Sequence, residues 1–333
     1  MAKKLGYANY IELGYLRMGR YDYNQDDVAG YRDAIAEYVT PLAGRLLKDK
    51  LKRTGIRNPR VYDLSLYFPE GNPTPIGSTQ EKVEKAKLMY DRMSPETSFC
   101  FRYMADHHLF DLETRPNKET GRYMTYLPIH QVPFIFSNFN GTSGDIDVLT
   151  HEFGHSFQGF MGKDIKVPDY RCPTMEGAEI DSMSMEFFAH PYMDMFFDDA
   201  ERYRYAHLAD SISFLPYGVT VDEFQHWVYA HPEATPKERD EEWVRLEEKY
   251  TPYQRRYFED CQYRLDGHRW LTQAHIFANP FYYIDYVLAQ TAAFEFLLAS
   301  QEDYEGAFKR YIALSKKGGT KLWPQLLKEA GLP

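Results

Sequence analysis

Cysteine is scarce in this chain: Cys100, Cys172 and Cys261 stand far apart among 333 residues. An odd, scattered set builds no disulfide framework and fits a reducing compartment. Excess positive charge is missing as well. The 49 acidic residues outnumber 39 basic ones and leave a net charge of −10, which argues against nucleic acid or an anionic membrane as the main partner. No apolar run approaches the ~20 residues that span a bilayer, and the opening MAKKLGYANYIELGYLRM has no signal-peptide core. Internal repeats, low-complexity tracts and obvious linkers are absent too. What is present is ordinary globular usage, 44% hydrophobic and 26% charged, which excludes disorder and suits a large core. Tyrosine is the abundant aromatic, 28 against 4 Trp. Its polar tip suggests that part of it lines a wet groove. The expectation is a cytoplasmic enzyme or binding protein.

Periodicity predicts a mostly α chain. Apolar residues from Asp26 to Leu51 fall on one helical stripe, with Pro41 as a kink. Residues 53–78 carry four prolines and read as an irregular connection. Ser94-Pro95 opens a helix expected to turn Phe99, Phe101, Tyr103 and Met104 inward. Residues 111–122 read as a polar loop, and VPFIFSN at 132–138 as the one clear strand, either with an exposed edge that pairs with extended peptide or as an internal hairpin strand. Helical segments are then expected at about 145–160, 177–198, 220–231, 251–273, 281–300 and 303–316.

The chemistry concentrates in VLTHEFGHSFQGF, residues 148–160. His151 and His155 are four apart, so on a helix both imidazoles leave one face and can share a metal ion. Glu152 stands beside the first histidine, where its carboxylate can take a proton from water activated by zinc. Such a pentapeptide arises by chance about 0.03 times in a chain of this length. The neighbours Val148, Leu149, Phe153, Phe157 and Phe160 bury the helix, and buried histidines and acids need partners. Gly154 would leave room beside the metal. A catalytic zinc takes three protein ligands and keeps one position open. The third is expected from MEGAEIDSMSMEFF, which offers Glu176, Glu179 and Glu186. Glu179 is the chosen ligand, and Glu186, two turns on, can orient a zinc-binding histidine.

THEFGHSFQ, AEIDSMSMEFF and HIFANPFYYIDY, with PFIFSNFNGTSGDIDVLTHEFGH ahead of them, together resemble the oligoendopeptidase F and thimet oligopeptidase family of zinc metallopeptidases. The resemblance implies a mainly α, multi-helical catalytic domain with a small β-sheet beside the zinc helix and a deep substrate groove. It implies one Zn2+ per chain on His151, His155 and Glu179, with Glu152 as the general base. It also implies that His275, Tyr283 and Tyr286, with Tyr282 as a weaker candidate, bind substrate and the transition state. A phenol or imidazole aimed at the developing oxyanion lowers the barrier. Residues 1–110 would form a helical part of the groove wall and 111–333 the zinc-site core.

The expected reaction is hydrolysis of internal peptide bonds in short oligopeptides. Alternatives are an exopeptidase, with Arg115, Lys118 or Arg122 holding the chain end, and a non-catalytic peptide-binding fragment. Two departures from the family stand out. The likeness begins at residue 1 in what would be the middle of a usual member, which suggests self-association or an N-terminal fragment as partner. The stretch KETGRYMTY carries Arg122 and Met124 where relatives are often small and aromatic.

Overall fold

The computed structural model describes residues 2–332. Its α-helices are α1 Ile11–Arg17, α2 Gln25–Ala34, α3 Thr40–Thr54, α4 Thr79–Met93, α5 Pro95–Asp106, α6 Gly144–Met161 and α7 Met175–Phe188. They continue as α8 Ala200–Ala230, α9 Pro236–Tyr250, α10 Gln262–Leu265, α11 Ala274–Ala278, α12 Tyr283–Glu302, α13 Tyr304–Ser315 and α14 Trp323–Glu329. Three strands, β1 Phe110–Glu113, β2 Tyr123–Leu127 and β3 Val132–Phe139, form the sheet. This is the expected mainly α architecture with a small sheet. None of the helices among the described residues is long and apolar enough to cross a membrane. The chain divides into two compact units, one of residues 1–72 and 206–288, the other of residues 73–205 and 289–333. Both are discontinuous, with breaks between residues 72 and 73, inside α8 and inside α12.

In the first unit the α-helical pattern is interrupted just before Pro41. Pro41 lacks the N–H that would bond the carbonyl of Glu37, and the helix widens just before it into a π-turn over Ile35–Val39. Thr40 N–H accordingly reaches back five residues to Ile35 O. Residues 251–273 are not one helix but short turns around Gly267, whose φ is +82°. The helix lies earlier, in α9, where Thr235 and Glu238 cap each other across Pro236. Only a narrow stripe of α9, including Trp243, Leu246 and Tyr250, is buried, which hid it among charged residues. Phe281 is fully buried with φ +67°, a conformation rarely tolerated by a bulky side chain. Gln225 Oε1 accepts its N–H at 2.8 Å and Arg20 donates to its carbonyl at 2.6 Å. Its ring packs against Gly14, where any Cβ would come within 2.5 Å. Arg20 also pairs with the buried Asp285 of α12.

In the second unit β3 is central, parallel to β1 and antiparallel to β2. It has no free edge, so the substrate-pairing reading of this strand gives way to the interior one. Residues 110–113 are a strand rather than loop because pairing with β3, not local propensity, decides their state. α5 buries Phe101 and Met104 but leaves Phe99 59% exposed, since a residue two positions away from Phe101 lies on the far side of a helix. Ser94 caps α5 as expected, accepting from Thr97 N–H at 3.1 Å. α6 carries Ile146, Leu149, Phe153 and Phe157, all fully buried, on one side. Phe153 meets Tyr90 and Phe101 with ring centroids 4.0 and 5.2 Å away. The turn from β3 into α6 is locked by Asp145, which accepts from Asn140 N at 2.8 Å, Gly141 N at 3.0 Å and Lys82 Nζ at 2.8 Å.

Candidate metal centre

The apolar stripe of α6 fixes the direction of its remaining residues. With Leu149, Phe153 and Phe157 turned inward, His151 and His155 project together and their rings lie 5.0 Å apart. α7 brings the acid to them. Glu179 Oε2 stands 3.3 Å from His151 Nε2 and 3.5 Å from His155 Nε2. Tetrahedral zinc with ligand distances near 2.05 Å would hold its donors about 3.4 Å apart. The two nitrogens and the carboxylate therefore fit one metal ion, and the three donor atoms lie within 4.8 Å of one another.

Gly154 makes this approach possible. A Cβ there would fall 2.5 Å from Asp181 O and 2.6 Å from Ser182 Cα. The space it leaves is taken by the backbone of α7, not by the metal as expected. Glu179 is 1% exposed and Glu176 is equally buried. Ser182 Oγ donates to Glu179 Oε2 at 2.9 Å and to its carbonyl at 3.0 Å. Ser182 belongs to none of the motifs, and its i+3 spacing from Glu179 on the helix is the sequence signal for this bond.

Glu186 Oε1 lies 2.6 Å from His151 Nδ1, so the other ring nitrogen is directed at Glu179. Burial alone would push the His151 pKa down, but hydrogen bonds and charge from Glu179 and Glu186 hold it well above the ordinary value. Burial would likewise raise Glu179, yet the His155 and His151 imidazoles hold it well below. The site thus balances a carboxylate against cations, an arrangement ready to exchange protons for a metal. Glu152 is 4% exposed on the same helix.

The aromatic set lies in the other unit. His275, in α11, has its ring 5.9, 5.3 and 5.8 Å from those of Tyr282, Tyr283 and Tyr286. Tyr286 Oη is 3.5 Å from His275 Nε2. Tyr283 is 8% exposed and packs on Phe214 and Tyr217, whereas Tyr282 and Tyr286 are half-buried.

Two of the three cations considered for a chain-end clamp are committed elsewhere. Lys118 Nζ bonds Asp111 Oδ1 at 2.9 Å and the Ser137 carbonyl, and its side chain is 2% exposed. Arg115 pairs with Asp111 at 2.6 Å.

The sequence profile of peptidase family M3 matches residues 101–332. The whole chain superimposes on a solved PZ peptidase A with an inhibitor at TM-score 0.97 and 47% identity, covering 59% of that chain. A protein solved under the name oligoendopeptidase F matches at 0.97 and 48%, again over all of this chain and 59% of its own. Another of that name, from Bacillus anthracis, matches at 0.90 and 44%, covering 57% of its length. This chain therefore spans less than two thirds of each of these solved chains. No curated protein matches it at a significant level. The match over most of the sequence and the close structural likeness have one reading: the chain belongs to peptidase family M3.

Proposed function

We propose that the chain is a zinc endopeptidase acting on short oligopeptides. The observation that carries this reading is the triad of donors on α6 and α7, at metal-ligand separations, with Glu152 next to one of them. His151, His155 and Glu179 would hold the ion, with Glu186 fixing the His151 ring. A zinc ion supplies Lewis acidity, making water more acidic and a peptide carbonyl more electrophilic. Glu152 accepts the proton that the attacking water gives up and delivers it to the departing amine, so the carboxylate ends as it began. His275, Tyr283 and Tyr286 donate hydrogen bonds to substrate and to the carbonyl oxygen as negative charge builds there. The match to peptidase family M3 and the likeness to solved oligoendopeptidase F chains support a peptide as substrate. The three free cysteines suit a reducing compartment, and we extend the reading to the cytoplasm.

Glu152→Gln tests the assignment. Turnover of an internally quenched peptide with blocked ends should vanish while elemental analysis still finds about one zinc per chain. Loss of the metal in that variant would make Glu152 a ligand, and full activity would remove its role as base.

A further inference from the structure

His275 can serve as a hydrogen-bond donor only if its proton is on the nitrogen that faces Tyr286. The neutral ring has one donor and one acceptor nitrogen, and the partner of one decides the other. In this chain Nδ1 has Gln273 as a partner, its Nε2 lying 2.7 Å away. An amide side chain reads either way when flipped, so its other end has to decide. Gln273 Oε1 accepts from Tyr217 Oη at 2.8 Å. Tyr217 could reverse too, but Arg269 stands against it, with its guanidinium carbon 3.8 Å from the ring centroid. Arginine has no acceptor. Its positive charge over the ring disfavours a phenol proton turned toward it and leaves that proton to Gln273. The same charge opposes the upward push that burial gives the Tyr217 phenol.

Arg269 is itself set in place. Its NH1 lies 3.9 Å from the buried carboxylate of Glu247 in α9. The segment carrying it is pinned to the same helix at two points. Trp270 Nε1 donates to Asp240 Oδ1 at 2.9 Å. Gly267 lies so close that a Cβ would meet Asp240 O at 2.3 Å.

We propose that Gln273, oriented by Tyr217 and Arg269, is a positioning residue that keeps His275 neutral with its proton on Nε2. The guanidinium charge against the ring orients the phenol, and the direction of each bond then follows: phenol O–H to amide oxygen, amide N–H to Nδ1. The Nε2–H and the Tyr286 hydroxyl, 3.5 Å apart, become a pair of donors able to meet at one substrate oxygen. This rests on the reading of His275 as a transition-state donor, and adds what makes it one.

The test measures proton position and turnover separately. In a chain labelled with 15N-histidine, long-range 1H–15N correlation assigns each imidazole tautomer, and the spectrum of His275→Gln identifies the signals of residue 275. The expected pattern is a protonated Nε2 and a bare Nδ1. Gln273→Glu keeps the shape but offers only acceptors. It should move the proton to Nδ1 and lower kcat by ~10- to 100-fold with KM nearly unchanged. Tyr217→Phe, which frees the amide to flip, should give a mixture of tautomers and serves if the glutamate variant does not fold. A protonated Nδ1 in the native chain, or unchanged ring signals in both variants, overturns the proposal. His275→Ala separates the two readings. Unchanged turnover there overturns the transition-state role, and the purpose of the relay with it. A fall there, with Gln273→Glu at native turnover, overturns the relay alone.

Discussion

Replacing Gly154 with alanine probes whether the spacing of α6 and α7 sets the metal geometry. The added methyl would lie 2.5 Å from Asp181 O. Ordinary contact begins near 3.4 Å, so α7 must retreat by about 0.9 Å. Backbone on both sides leaves no flexible side chain to yield. Glu179, two residues before Asp181, moves with the helix, and its separations of 3.3 and 3.5 Å from the imidazoles widen toward about 4 Å. Metal sites accept ligand distances within about 0.2 Å of ideal. Zinc affinity should therefore fall by at least ~100-fold, and overpacking should destabilise the metal-free fold by about 1–3 kcal/mol. Competition with a chromophoric chelator measures the first and urea unfolding the second. Gly159→Ala is the control: it lies on the same helix but meets the Tyr126 ring at 3.1 Å, so it should leave zinc affinity unaltered. Native affinity in Gly154→Ala would refute the idea that this contact gauges the site.

Three further outcomes are expected. Tyr286→Phe should lower kcat by ~10²-fold with little change in KM or stability; a change in thermal stability alone, with turnover intact, would return the ring to core packing. Lys82→Ala leaves Asp145 buried without its cation and should cost about 3 kcal/mol in urea unfolding. A loss below half that would show that the Asn140 and Gly141 amides suffice. Glu186→Gln retains a polar group beside His151 Nδ1 without the charge, and should weaken zinc binding ~10-fold by chelator competition; unaltered affinity would leave Glu186 a bystander.

The sequence made the His151–His155 pair legible because both lie on one element, where spacing alone sets direction. Glu179 was legible too, as an acid on a second apolar helix. Several features were not. β1 and β2 exist through pairing with β3, and no local signal reports a partner brought from elsewhere in the chain. Gly154 gave its presence but not the neighbour it faces. Residues 251–273 mimicked a helix through aromatic spacing, whereas α9 announced itself only by its Thr235-to-Glu238 cap. Gln273 belongs to no motif; its meaning comes from Tyr217, which α8 places beside it.

Phe281 has a consequence for anyone who would move this chemistry elsewhere. Scored on its own backbone, position 281 asks for glycine, and the substitution would relieve about 1–2 kcal/mol. It would also empty a fully buried site, at about 3–5 kcal/mol for an aromatic ring. The shape of the loop therefore belongs to its surroundings more than to its own residues. Grafting HIFANPFYYIDY onto a new scaffold would transfer the imidazole and the phenols but not their aim. The recipient would also have to supply the bare surface of Gly14, the amide of Gln225 and the guanidinium of Arg20.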